Sequence, residues 1–78
     1  MPSVVIYSTP TCIYCKLEKE FLREHKITFT EINVAEDTQA AQQMIMKSGQ
    51  SGVPVTIVDG EIIVGFDKPA LKKVLNIK

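Results

Sequence analysis

The chain has 78 residues, 45% of them hydrophobic and 23% charged, and its nine basic residues balance nine acidic ones. That length makes one small domain over residues 1–78, which buries only about 60% of the surface its unfolded chain exposes, and a neutral balance excludes the electrostatic footprint of a nucleic-acid or anionic-membrane binder. No apolar run approaches the roughly 20 residues of a membrane span, and MPSVVIYSTP lacks the basic region and apolar length of a secretory signal, which predicts a cytoplasmic protein.

Val4-Val5-Ile6-Tyr7 is a short apolar run rich in β-branched residues, the pattern of a central strand buried on both faces. Ser8-Thr9-Pro10-Thr11 breaks it. Pro10 disfavours helix at Thr9, so this stretch is a strand-to-helix loop. From Ile13 to about His25 the spacing predicts a helix. Leu17 and Phe21 fall at i and i+4 with Leu22 beside them, and Lys16, Glu20, Arg23 and Glu24 supply a solvated face. Ile27 to Val34 alternates apolar with polar, which predicts a half-buried second strand. Two strands joined by a crossover helix form a βαβ unit, nearly always right-handed.

A second helix starts near Asp37, a good N-cap. It runs through Ala40, Ala41, Met44 and Ile45 and stops at Gly49, with Gln50-Ser51-Gly52 as loop. Val53–Val58 and Glu61–Val64 read as strands separated only by Asp59-Gly60, a preferred type I′ hairpin turn. The last helix takes Asp67 as N-cap and Pro69 in its first turn. Phe66 and Leu71 are placed as a hydrophobic staple across the cap, and Leu71, Val74 and Leu75 form the buried stripe. The order βαβ-α-ββ-α predicts an α/β fold, a mixed four-stranded sheet with helices on its faces.

Cys12 and Cys15 are the only cysteines. A pair this close cannot staple distant parts of a chain. A lone Cys-x-x-Cys is instead redox-active or half of a metal site. Disulfide exchange needs one exposed thiolate to attack and a second thiol to release the product. A helix N-terminus favours negative charge and lowers the ordinary cysteine pKa of about 8.5. Cys12, at the loop–helix junction, is therefore the expected attacking thiol. Cys15, one turn in, is the more buried resolving thiol, and Lys16 adds positive potential. The bland alternative makes both cysteines small buried hydrophobes, against which the spacing, the helix start and the preceding strand all argue. Zinc wants four ligands, and the single histidine, His25, lies about three helical turns from Cys12. A metal site therefore needs a second chain or outside ligands. His25 itself reads as a solvated cap at a helix C-terminus. Met44 is core by spacing, and Met46 is exposed or gap-filling. Lys68, Lys72, Lys73 and Lys78 read as a solvated face. Pro54 sits in a run that otherwise reads as strand, where proline is confined to a first residue, an edge or a bulge. Composition does not separate those placements from a cis bond.

Val4 to Tyr7, STPTCIYCKLEKEFL and SGVPVTIVDGEIIVGFD together resemble the glutaredoxin-like redoxins of the thioredoxin superfamily. The resemblance spans essentially the whole chain, with CIYC, GVPV and GFD at the family's separations. The short glutaredoxin-like proteins and NrdH-redoxins share that pattern. It implies a thioredoxin fold with strand order 2-1-3-4, the third strand antiparallel to the first, and a cis Val53–Pro54 bond. It also implies that Pro54 lies against Cys12 and Cys15 while the backbone at Val53 pairs with extended substrate, a short case of β-augmentation. Tyr14, Gly65, Phe66 and Asp67 are the further substrate-binding residues it implies. The sequence departs from the family at three places. Ile13 replaces the common proline of CPYC, Thr9 replaces a lysine, and Val64-Gly65 replaces a paired glycine before the last helix. These weaken glutathione binding, and GFDKP is similar to the corresponding NrdH-redoxin segment, whose members are reduced by thioredoxin reductase. The expectation is a monomeric dithiol–disulfide oxidoreductase without bound cofactor. It reduces protein or glutathione mixed disulfides through Cys12-Ile13-Tyr14-Cys15, with disulfide-containing proteins as partners and a thioredoxin-reductase-type flavoenzyme or glutathione as electron donor. The alternative is a homodimer holding an iron–sulfur cluster, which needs thiolates from two chains or added glutathione.

Overall fold

Seven elements follow one another in the predicted order. In the computed structural model, which describes residues 3–77, they are β1 (Val4–Ser8), α1 (Ile13–Glu24), β2 (Thr30–Asn33), α2 (Thr38–Ser48), β3 (Val55–Val58), β4 (Glu61–Val64) and α3 (Lys68–Leu75). The sheet runs β2-β1-β3-β4. β1 is parallel to β2 and antiparallel to β3, and β4 returns antiparallel beside β3, as the family resemblance implied.

The central strand sorts the core into two layers, because successive side chains of a strand point to opposite faces. Val4 joins Val58 and Ile63 against Phe21 and Leu22 of α1 and Leu71 of α3. Tyr7 joins Val55 on the other face, against Ala40 and Met44 of α2. Ile6, Leu22, Leu71 and Val55 are wholly buried, and burial that complete stabilises by about 1.5–3 kcal/mol per large side chain.

Local signals hold where they rest on turn and cap chemistry. The Asp37 side chain accepts from the Ala40 N–H at 3.0 Å, and Gly49 closes α2 in the left-handed conformation at φ 74°. Asp59 and Gly60 both have positive φ, 49° and 90°, as a type I′ turn requires. The Asp67 carboxylate accepts from the Ala70 N–H at 3.2 Å, with Pro69 in the first turn. Phe66 packs on the cluster that contains Leu71.

Four expectations are corrected. Leu17 is 42% exposed while Glu18 is wholly buried, so the inward face of α1 runs through Cys15, Glu18, Phe21 and Leu22. Ile45 is 43% exposed, and Ala40 and Met44 make the inward contacts of α2. α1 ends at Glu24 with His25 as its cap. Lys26 then turns left-handed at φ 58°, and the Ile27 N–H returns to Leu22 O at 2.8 Å while Lys26 N–H bonds Arg23 O at 3.0 Å. This pair of bonds is a Schellman motif. It uses the N–H that a longer β2 would need at Ile27, and the β1–β2 ladder starts at Thr30. β3 starts at Val55 rather than Val53, since Pro54 has no N–H to give. Met46, Lys68, Lys72 and Lys73 are exposed; Lys78 lies outside the described residues.

Candidate active site

The site forms where the end of β1 feeds the start of α1 and the segment before β3 comes alongside. Cys12 is the N-cap of α1, with extended backbone at φ −85° and ψ 114°. A cap residue normally offers a side-chain acceptor to the free N–H groups of the first turn. Here the acceptor is sulfur: the Cys15 N–H donates to Cys12 Sγ at 3.1 Å. The sulfur thus takes the place of the capping oxygen and meets a free N–H of the helix start. Cys12 is partly exposed, and the chain around it is held by its own N–H to Thr9 O at 3.3 Å.

Cys15 is in the opposite situation. It is wholly buried. That burial, then the hydrogen bond to the Cys12 sulfur, push its thiol up to about 12, against the lowering effect of a backbone hydrogen bond at Thr9. Both thiols are free. The two cysteines, one turn apart, are thus unlike in exposure and in hydrogen bonding.

Pro54 is buried, and the Val53–Pro54 bond is cis. The Cys12 thiol meets Val53 O at 3.8 Å. Pro54 O accepts from the Gly65 N–H at 2.8 Å, so Gly65 is tied to the same segment. Gly65 has φ +79° with open space where a Cβ would stand. The backbone conformation, not crowding, is what selects glycine there. Cys12, Cys15, Val53, Pro54 and Gly65 are therefore brought together. Phe66 is turned away to the core, its ring edge-on to Phe21 at 6.0 Å, with Lys68 Nζ 5.7 Å from its centroid. The Asp67 carboxylate caps α3. Tyr14 is 63% exposed, and with Ile13 at 71% and Leu17 at 42% it makes an apolar collar on the first turns of α1. Val64 adds a half-exposed side chain next to Gly65. His25 is exposed at the far end of α1, edge-on to Phe21 at 4.6 Å. Among the described residues, no group of three or more His, Cys, Asp or Glu side chains gathers to hold a metal ion, and no helix is long and apolar enough to cross a membrane.

Glu18 is the residue that sequence reasoning missed. It lies on the inward face of α1, with the Thr56 hydroxyl of β3 donating to its Oε2. The signal was present: Cys15, Glu18 and Leu22 are spaced i, i+3, i+7, the stripe of a buried helix face.

Comparison with known proteins gives a consistent picture. The glutaredoxin family model matches residues 4–63. An uncharacterised glutaredoxin-like 8.6 kDa protein of the rubredoxin operon of Clostridium pasteurianum is 49% identical over 94% of this chain and 97% of its own. The glutaredoxin-like protein NrdH of Lactococcus lactis subsp. cremoris is 36% identical, covering 90% of this chain and 96% of its own. Glutaredoxin 3 of Escherichia coli is 33% identical over 86% and 81%. Among solved structures, a mutant thioredoxin-like protein superposes with a TM-score of 0.92 at 29% identity over 100% of both chains. The glutaredoxin of Archaeoglobus fulgidus superposes at 0.86 and 26% identity, over 96% of this chain and 87% of that one.

Proposed function

This chain belongs to the glutaredoxin family of thiol–disulfide oxidoreductases, and from that premise we propose that it carries electrons to protein disulfides in a two-thiol cycle led by Cys12. The observation that carries the reading is the inequality of the two sulfurs. Cys12 is reachable and receives an N–H from the helix start. Cys15 is sealed and holds its proton.

In the forward direction the Cys12 thiolate attacks one sulfur of a substrate disulfide. A Cys12–substrate bond forms and the first half of the substrate leaves as a thiolate. Cys15 then attacks Cys12 Sγ, the second half leaves, and a Cys12–Cys15 disulfide remains for the donor to reduce. The substrate chain lies along Val53, whose backbone precedes the sheet ladder, and against Pro54, Gly65 and Tyr14. Main-chain pairing there recognises an extended segment with little demand on its sequence. Phe66 and Asp67 act one step removed, by fixing the start of α3 beside Gly65.

The same geometry favours a protein as electron donor. Ile13, Tyr14 and Leu17 on the first turns of α1, and Val64 beside Gly65, expose apolar surface, which suits a macromolecular partner better than a small anionic peptide. Thr9 offers glutathione no charge, although an exposed ion pair is worth only about 0–1 kcal/mol. Val64 adds bulk beside the backbone the ligand would approach. The Asp67 carboxylate already accepts a hydrogen bond from Ala70. Coupled turnover of one common disulfide substrate, at fixed pH and equal protein concentration, tests this directly. A thioredoxin-reductase-type flavoenzyme is expected to drive turnover well, and glutathione with its reductase poorly. Efficient glutathione-driven turnover with little from the flavoenzyme overturns the donor assignment. A brown dimer without reductase activity overturns the carrier reading in favour of cluster binding.

A further inference from the structure

A carboxyl group is buried one helical turn from the resolving thiol. Glu18 follows Cys15 by three residues on α1, so the two share one face of the helix. Neither is exposed to solvent. Glu18 Oε2 accepts from the Thr56 hydroxyl, and Oε1 has no hydrogen-bond partner among the described residues. The Thr56 bond satisfies one carboxyl oxygen, while an unsatisfied second oxygen destabilises a fold when the group is charged.

The charged groups around Glu18 are otherwise occupied or remote. The sheet face under α1 carries Ile6 and Ser8 of β1 and Thr56 of β3, all buried. Glu31 of β2 stands opposite Ile6, and its carboxylate is engaged by Lys19 and Ser8, both at 2.7 Å. That pairing with Lys19 and then Ser8 holds Glu31 below its ordinary range. Glu61 of β4 is exposed and pairs with Val58 at the other end of the strand. From α3 comes buried Leu71, while Asp67, Lys68, Lys72 and Lys73 are exposed. On α1 itself Lys16 and Glu20 face solvent, and His25 lies at the helix end. The thiol of Cys15, with Cys12 beyond it, is the titrating neighbour that feels the Glu18 charge, which helps to raise it.

We propose that Glu18 accepts the proton of Cys15 when Cys15 resolves the Cys12 mixed disulfide, and returns it when the internal disulfide is reduced. The inference rests on the cysteine roles assigned above. In resolution the Cys15 S–H bond breaks and the proton passes to Glu18 Oε1, the carboxyl oxygen left without a partner. The sulfur's electron pair forms the bond to Cys12 Sγ, and the pair of the broken Cys12–substrate bond leaves on the substrate thiolate. In the reductive direction the donor's thiolate attacks Cys12 Sγ. Cys15 leaves as a thiolate and takes the proton off Glu18. The two electrons of the disulfide are the only ones exchanged.

Two magnitudes make the transfer necessary and feasible. A thiol pushed up to about 12 is ionised in only about one molecule in 10⁵ at neutral pH. Burial raises Glu18 to about 7, with the Thr56 hydrogen bond acting against it, and a base serves best when its pKa is near the working pH. The mixed disulfide also changes the balance. Two influences that hold the proton on Cys15 are the hydrogen bond and charge of the Cys12 sulfur, and both lapse once that sulfur is covalently bound. Burial and the Glu18 charge remain, and moving the proton to Glu18 removes the second.

The reduced protein mixed with dithiobis-nitrobenzoate releases one coloured thiolate as Cys12 attacks and a second as Cys15 resolves. The second phase of the wild type is expected to rise with pH through an inflection near 7. In Glu18→Gln it should slow by about 10²-fold at neutral pH relative to the first phase, as expected for loss of a general base, and lose that inflection. The first phase serves as internal reference, and the inflection in the wild type decides the matter if the variant does not fold. A residue that only held the fold would not erase one inflection from one phase. A wild-type second phase without the inflection, or a Glu18→Gln profile that superimposes on the wild type, overturns the proposal. Loss of the first phase from the wild type, or its survival in Cys12→Ser, overturns instead the cysteine roles beneath it.

Discussion

Cys12→Ser is expected to bring disulfide turnover to background, a loss of at least about 10³-fold, because a serine hydroxyl does not ionise near neutral pH and a neutral alcohol does not displace a thiolate from a disulfide. Cys15→Ser is expected to behave differently. The attacking thiol survives at the cap of α1, so the first step proceeds. With the buried sulfur gone, nothing inside the protein displaces the second half of the substrate. The variant should therefore accumulate one covalent adduct per chain, visible as an intact mass increase that disappears with excess reductant. Where an external small thiol is supplied, it takes over the release, and single-thiol activity on mixed disulfides should persist. The inequality of the two substitutions follows from the inequality of the two sites: one sulfur partly exposed and meeting a helix N–H, the other with no exposure. Turnover by Cys12→Ser comparable to the wild type contradicts the mechanism, whatever Cys15→Ser does.

The second large effect is on stability. Burial lifts the Glu18 carboxyl from 4.5 to about 7, so between those values the folded chain holds a proton that the unfolded chain has released. Stability therefore falls as pH rises. Below about 4.5 the group is protonated in both states and contributes no pH dependence. Through the interval the protein loses stability, and above about 7 the full difference, about 3 kcal/mol, is gone. Glu31 works the other way: held below its ordinary range by Lys19 and Ser8, it stabilises above the unfolded carboxylate pKa and loses that contribution as pH falls through its folded value. Urea midpoints of the reduced protein should thus be higher at pH near 5 than near 8. Glu18→Gln, which carries no charge to bury, should flatten that slope and exceed the wild type at the alkaline end. A wild-type midpoint that rises between those two pH values contradicts the assignment of Glu18 as a buried acid.

What could be read in the sequence was what depends on near neighbours. Asp37 and Gly49 bound α2, Asp59-Gly60 turns the hairpin, and Asp67 with Pro69 starts α3, because each acts through backbone groups a few residues away. Cys12-Ile13-Tyr14-Cys15 was legible for the same reason: a helix start after a strand is itself a chemical environment. The losses came where the third dimension decides. At 100° per residue, Leu17 lies about 200° round α1 from Cys15 while Glu18 lies about 60° from it. Hydrophobicity alone put Leu17 inward, whereas the direction of the sheet put Glu18 there. Ile27 alternates correctly for a strand, yet its N–H closes the end of α1 instead. The proximity of Val53, Pro54 and Gly65 to the thiols is a contact between distant parts of the chain. Only the family resemblance, not periodicity, pointed to it.

The claim that the two cysteines are chemically unequal, with Cys12 the nucleophile, is tested most directly by limiting alkylation. The fully reduced protein is treated at neutral pH with less than one equivalent of iodoacetamide, and the modified peptide is mapped. Label on Cys12 with Cys15 intact is the predicted result, since Cys12 is the sulfur the reagent can reach, while Cys15 is buried and its thiol is pushed up to about 12. Label that reaches Cys15 first, or both sulfurs equally, contradicts it.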